Sequence, residues 1–227
     1  MTILPTGLAG KIDLTLLKPD ATRKDVEGFI RKALAYPFAT VCVPPSYVFL
    51  ASSLLKGSRL KVSTVVGFPL GYQTTKVKAF EAKEAVEHGG AEIDMVMNIS
   101  AFKSGDFQAV EEEIAAIVAE APLAAVKVII EACCLTDEEK VKALDIAVNA
   151  GARFVKTSTG FAFGGATIND VRLLKDAAQG RIQIKAAGGI KTLGAALDMI
   201  SAGADRIGTS SGVEIVEEFL KPSRTVS

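Results

Sequence analysis

The feature that most constrains this chain is an alternation running through its whole length. Eight short apolar runs, each bounded by Gly, Pro, Ser or Thr, are separated by longer segments of helical period. The runs are KIDLT (11–15), ATVCV (39–43), VSTVVGF (62–68), EIDMVMN (92–98), VKVIIE (126–131), FVKTST (154–159), IQIKAAG (182–188) and DRIGTS (205–210). Between them lie good helix formers, among them KDVEGFIRKALAY, TKVKAFEAKEAVEHG and TDEEKVKALDIAVNAG, and VEIVEEFL follows the last run. Thr136 followed by Glu139 is a capping-box pattern, and Gly89 and Gly151 are helix stops. Strands alternating with helices imply a parallel sheet with crossovers, and eight strands suffice to close a (β/α)8 TIM barrel. An open doubly wound sheet is the rival, because periodicity alone does not close a barrel. No long linker interrupts the pattern, so residues 1–227 read as a single barrel domain. A short N-terminal segment, 1–10, is expected over the barrel bottom, and a C-terminal tail occupies 221–227.

Successive side chains of a strand point to opposite faces. Lys156 therefore shares a face with Phe154 and Ser158, and Lys185 shares one with Gln183. Glu92 and Asp94 oppose Ile93 and Met95, while Lys127, Ile129 and Glu131 oppose Val126, Val128 and Ile130. Lys11, Asp13 and Thr15 share a face, as do Thr40 and Cys42. In each run one face is aliphatic and suits packing against helices. The other carries ionisable groups and must line the barrel interior, where Val, Ile and Leu normally dominate.

Two readings explain such charges. A paired network that merely fills the barrel is one, although buried ion pairs add little net stability over apolar replacements. An active site at the C-terminal ends of the strands is the other. A lysine at its ordinary pKa of about 10.4 is protonated and cannot attack a carbonyl. Burial or a second ammonium lowers that pKa and frees the amine to form a Schiff base. Lys156 and Lys185 lie on consecutive strands, and Asp94 is placed to move protons between them and a bound substrate. This chemistry requires no metal and no cofactor. The single histidine, His88, falls near a helix end before Gly89-Gly90 and reads as a solvated residue.

Composition narrows the partners. Basic and acidic residues number 26 each, so the formal net charge is zero. That balance gives no electrostatic case for nucleic acid or an anionic membrane. No run approaches the roughly 18 apolar residues of a membrane span. The start, MTILPTGLAGKIDLT, lacks the pattern of a signal peptide. The cysteines are Cys42, Cys133 and Cys134, odd in number with two adjacent, so no disulfide framework is expected. A soluble cytoplasmic protein fits these features. The helices carry enough exposed apolar and small residues for a homodimer or higher homo-oligomer, yet no single stripe identifies an interface.

Two glycine clusters, AAGGI (186–190) and RIGTSSG (206–212), follow the seventh and eighth runs. Barrels of this kind use those two loops to cradle phosphate on backbone N–H groups and helix N-termini. Gly188, Gly189, Gly208, Ser210 and Ser211 are the candidates, and the inferred ligand is a phosphorylated aldehyde or sugar. A phosphosugar isomerase would share these loops but would not require two lysines on adjacent strands.

The chain resembles the deoxyribose-phosphate aldolase family. The matching stretches are DLTLLKP (13–19), VCVPP (41–45), EIDMVMN (92–98), KVIIE (127–131), VKTSTGF (155–161), KAAGGI (185–190) and GTSSG (208–212). The resemblance implies a class I aldolase on a (β/α)8 barrel that cleaves 2-deoxy-D-ribose 5-phosphate to D-glyceraldehyde 3-phosphate and acetaldehyde. It assigns the Schiff base to Lys156 and proton donor and acceptor roles to Asp94 and Lys185. Asp13 and Lys127 become supporting pocket residues, and Cys42 matches a cysteine near the pocket, where the role of a small buried hydrophobe is the favoured reading. Gly160 joins the phosphate loop. Some members carry lysine directly after STG, where this chain has Phe161, so phosphate charge must be met elsewhere.

Overall fold

Eight parallel strands close on themselves in chain order. They are β1 (Ile12–Thr15), β2 (Thr40–Cys42), β3 (Lys61–Val66), β4 (Gly90–Val96), β5 (Ala125–Ile129), β6 (Phe154–Lys156), β7 (Gln183–Ala187) and β8 (Arg206–Thr209), with β8 pairing back onto β1. The structure, a computed structural model, describes residues 5–221. Residues 1–4 of the N-terminal segment and 222–227 of the tail lie outside the described residues. Closure decides against the open sheet and leaves no strand edge unpaired.

The helices are α1 (Pro5–Ala9), α2 (Arg23–Ala33), α3 (Val48–Leu54), α4 (Thr75–Glu87), α5 (Ile99–Lys103), α6 (Phe107–Glu120), α7 (Asp137–Asn149), α8 (Ile168–Ala178), α9 (Leu193–Ser201) and α10 (Gly212–Leu220). Their boundaries follow local chemistry. The Glu139 N–H donates to Thr136 Oγ1 while the Glu139 carboxylate accepts the Thr136 N–H, so the capping box at α7 is complete. A cap of this kind stabilises a helix by about 1 kcal/mol. Thr22 and Asp25 form a second box at α2. The segment expected over the barrel bottom forms α1, which packs against α10 with Leu8 and Ala9 buried. Among the described residues no helix is long and apolar enough to cross a membrane.

Several strands stop short of the apolar runs that announced them. VSTVVGF ends as strand at Val66, EIDMVMN at Val96, VKVIIE at Ile129 and FVKTST at Lys156. Beyond those points the chain is held sideways instead of in a ladder. Thr157 Oγ1 donates to the Ala187 carbonyl, and Thr159 donates through its N–H and its hydroxyl to the Glu131 carboxylate. Glu131, expected on the interior face of a strand, sits instead in a left-handed turn at φ 49° and braces the segment after β6.

The aliphatic faces pack outward against the helices. Ile12, Val41, Ile93, Met95, Val128, Val155, Ile184 and Ile207 are completely buried there, and each such side chain contributes roughly 1.5–3 kcal/mol. A fully buried lysine is embedded in this layer with a carboxylate partner. Lys78 of α4 donates to Glu113 Oε2 of α6 at 2.9 Å, to the Val96 carbonyl at 2.9 Å and to the Gly71 carbonyl at 2.5 Å. Glu113 accepts the Asn98 N–H with its other oxygen. The pair thus ties the loop after β3, the end of β4 and α6 into one unit. Glu113→Ala would strand a buried ammonium, a change that costs about 3–5 kcal/mol. Urea unfolding followed by circular dichroism is expected to show a loss of that size, and a loss within a few tenths of a kcal/mol would contradict this role.

Candidate active site

The strand register delivers the charged residues to the barrel axis. It sets Asp94 beside Lys127, Lys156 beside Lys185 and Lys185 beside Arg206 on neighbouring strands. Asp94 stands at the centre. Its Oδ1 accepts from Lys127 Nζ at 2.7 Å, and its Oδ2 accepts from both Lys156 Nζ at 2.8 Å and Lys185 Nζ at 2.6 Å. Lys185 also lies 2.5 Å from Asp13 Oδ2. Below this layer Lys127 reaches Glu92 at 2.8 Å, and Arg206 bridges Asp13 Oδ1 and Glu92 while lying over the Phe154 ring. Lys127, Lys156, Lys185 and Arg206 therefore face Asp13, Glu92 and Asp94, which leaves one cation in excess if every group is ionised.

Burial and neighbouring charge sort these groups. Burial alone would raise the pKa of Asp94, but Lys127, Lys156 and Lys185 hold it well below the usual carboxylate range. Asp13 is likewise held low against its burial by Lys185, Lys127 and Arg206. For Lys127 the desolvation is outweighed by Asp94, Asp13 and Glu92, and for Lys185 by Asp13 and Asp94, so both ammoniums are favoured. Lys156 differs. Its burial, reinforced by the positive charge of Lys185, outweighs the attraction of Asp94, and its pKa is lowered. Among the three lysines, Lys156 is therefore the one whose proton is most easily lost.

Access sorts them the same way. A cleft of about 260 Å³ opens at the C-terminal ends of β1, β6, β7 and β8, and Lys156 is the network residue that lines it. Lys127 and Lys185 are closed beneath it at 0% and 1% exposure, against 4% for Lys156. Gly160, Gly188, Gly189, Gly208 and Ser210 line the same cleft, with Thr159, Phe161, Lys18 and Lys191. A larger groove of about 950 Å³ lies between α2 and α10, but the charge network does not reach it.

Three sequence expectations change in detail. Ser211 does not line the cleft; its N–H is turned to Thr209 Oγ1 at 3.0 Å, at the start of α10. Gly208 serves the lysine as much as any anion, because a Cβ there would stand 3.0 Å from both Lys185 Cε and Ala187 Cβ. Gly188 is needed for a close backbone approach as well as for its loop, since its added Cβ would come within 3.0 Å of Gly165 Cα. Cys42 is fully buried, and burial together with the nearby Asp94 charge pushes its thiol up to about 11, which suits a small packing residue rather than a nucleophile. His88 is exposed at the end of α4, as expected.

Arg206 was not singled out from the sequence, although the alternation through DRIGTS points it inward with Gly208. Lys18 and Lys191 supply cations at the cleft wall that the sequence could not place, because they sit on loops without periodicity. Phe161 closes one side, its ring packed edge-on against Phe68 at 5.2 Å.

Comparison with known proteins agrees with this geometry. The model of the DeoC/LacD family of aldolases matches residues 9–218. A deoxyribose-phosphate aldolase from Streptococcus equi subsp. zooepidemicus is 55% identical over 206 residues, covering 91% of this chain and 94% of that protein. The solved structure described as "QR15, an Aldolase" superimposes with a TM-score of 0.91 at 50% identity, covering 94% of this chain and 96% of that one. A tetrameric deoxyribose phosphate aldolase from Aeropyrum pernix superimposes with a TM-score of 0.90 at 38% identity, covering 95% and 92%. A closed barrel whose interior lysines converge on one aspartate, matched over nearly its full length by these proteins, places the chain in the DeoC/LacD family of aldolases.

Proposed function

We propose that this chain, as a single barrel domain, reversibly cleaves 2-deoxy-D-ribose 5-phosphate to D-glyceraldehyde 3-phosphate and acetaldehyde through a Schiff base on Lys156. The observation that carries the reading is the position of Lys156. It is the interior lysine with both a lowered pKa and an opening to the cleft. The names of the relatives support the substrate, and the free thiols of Cys42, Cys133 and Cys134 accord with a reducing, cytoplasmic setting.

In this mechanism the neutral Lys156 amine attacks C1 of the open-chain sugar, and loss of water from the carbinolamine leaves a protonated imine. The C3 hydroxyl gives up its proton, the C2–C3 bond breaks, and its electrons pass into the imine to form an enamine. The fragment carrying C3 departs as glyceraldehyde 3-phosphate. Protonation of the enamine at C2 and hydrolysis of the resulting imine release acetaldehyde and return the amine. Asp94 and Lys185, 2.6 Å apart and both close to the Lys156 amine, move these protons. Asp13, Lys127 and Arg206 hold that pair in place from below. The phosphate rests on the backbone of Gly188 and Gly189 with Ser210 and Gly160, and Lys191 and Lys18 meet its charge from the cleft wall. That assignment explains how Phe161 can stand after STG without loss of phosphate recognition.

Lys156→Leu is the direct kinetic test: cleavage is expected to fall by at least about a thousandfold while the fold persists. Appreciable turnover by this variant would overturn the reading. Lys185→Leu removes the positive neighbour that helps to depress the Lys156 pKa and also frees Asp94 to bind the Lys156 ammonium. Both effects raise that pKa, and because the neutral amine is the reactive form, the acid limb of the pH profile of kcat/KM moves to higher pH. A limb that stays in place would show that Lys185 does not tune Lys156.

A further inference from the structure

Glu131 takes no part in the chemistry at Lys156, yet its surroundings are unusual. Its carboxylate is buried, at 3% exposure, and pairs with no cation among the described residues. A charge in that position persists only where hydrogen bonds replace water. One residue supplies them: Thr159 donates its N–H at 3.3 Å and its hydroxyl at 2.5 Å. The backbone of Glu131 is left-handed, at φ 49° and ψ 66°, a conformation that strains any residue with a side chain. The neighbours impose it. Ile130 donates its N–H to the Lys156 carbonyl at 3.1 Å, Ala132 to the Thr157 carbonyl at 2.8 Å, and Cys134 to the Glu131 carbonyl at 2.9 Å. A strained residue held so firmly beside a cleft points to a use for its side chain.

That use lies at the far end of the hydrogen-bond chain. The Thr159 hydroxyl, its proton committed to Glu131, accepts the Phe161 N–H at 3.0 Å. These bonds fix a turn through Thr159, Gly160 and Phe161, with Gly160 at φ 84° in its middle. All three residues line the cleft, and Glu131 does not. A Cβ added to Gly160 would stand 3.8 Å from Gly188 Cα, so the turn abuts the loop after β7. The N–H groups of Gly160, Gly188 and Gly189 make no hydrogen bond among the described residues. Backbone donors gathered in this way suit an anion.

We propose that Glu131 is a positioning residue: through Thr159 it fixes the turn at Gly160 so that this N–H joins those of Gly188 and Gly189 on one phosphate. The inference rests on the phosphate seat of the proposed function. Glu131 acts on that seat from behind, without touching the ligand, and the charge that Lys18 and Lys191 bring to the cleft wall is separate from it.

Titration calorimetry with inorganic phosphate reads the seat without any chemistry. Glu131→Gly is the variant of choice, because glycine adopts the left-handed backbone without strain and only the side chain is lost. The wild type is expected to bind phosphate, and Glu131→Gly to bind it at least about tenfold more weakly. Glu131→Gln keeps an acceptor for the Thr159 hydroxyl and is expected to stay within about threefold of wild type. Thr159→Val is expected to match the glycine variant, and the double variant to be no worse than either single, since the two side chains act as one device. In kinetics the same loss falls on KM for 2-deoxyribose 5-phosphate, while kcat, and kcat/KM for unphosphorylated 2-deoxyribose, change less than about threefold. A role in stability alone would lower turnover of both sugars together. Such equal losses, a wild type that binds no phosphate, binding untouched by Glu131→Gly, or a glutamine variant as weak as the glycine one would each overturn the proposal. Phosphate binding that depends on Glu131 in a protein that cleaves neither sugar would uphold it and overturn the proposed function instead.

Discussion

Asp94 and the ammonium groups around it set the terms for the rest of the barrel. A carboxylate and three lysines can leave water only if they saturate one another, because an unpaired buried charge costs several kcal/mol. The register of β4 to β7 meets that condition by placing Lys127, Lys156 and Lys185 on the strands that follow Asp94. Gly208 carries no side chain where the stem of Lys185 passes, and Ser63 adds a hydroxyl within 3.4 Å of Asp94. Arg206 and Lys127 absorb Asp13 and Glu92 below. With the carboxylates taken up in this way, the lysine nearest the cleft is the one whose ammonium is least well compensated. Its basicity is lowered by its burial and its neighbours, with no feature confined to Lys156 itself.

This arrangement also explains why such a network persists in a barrel at all. Apolar residues of similar volume would fill the interior at equal or greater stability. The aliphatic layer outside the strands already supplies the packing, with residues such as Ile93, Val128 and Ile184 fully buried. On the proposed mechanism the charges are a chemical device that the fold tolerates, and the glycine-rich loops that line the cleft above them are the seat that would bring a substrate within reach of one amine.

Much of this was legible in the sequence because two periodicities are strict. The alternation of strand side chains put Asp13, Asp94, Lys127, Lys156 and Lys185 on the interior, and the eightfold repeat of strand and helix matches the closed barrel. What was not legible lies where periodicity ends. The C-terminal limits of the strands depend on lateral hydrogen bonds such as that from Thr159 to Glu131, between residues far apart in the chain. Ser210 and Ser211 are adjacent and chemically alike, and the turn into α10 alone separates the one that faces the cleft from the one that does not. Lys18 and Lys191 become neighbours of the cleft through loop paths that no local pattern encodes. Arg206 is a different case, since the alternation that exposed the other charges also applied to it.

The central claim is that Lys156 forms the covalent intermediate, and reductive trapping tests it most directly. The wild-type protein is incubated with 2-deoxyribose 5-phosphate, reduced with borohydride, digested, and its modified peptide located by mass spectrometry. The account predicts a reduced adduct on Lys156, in the peptide that spans VKTSTGF. An adduct on Lys185 or Lys127 instead, or none from a folded sample given either this sugar or acetaldehyde, would contradict it.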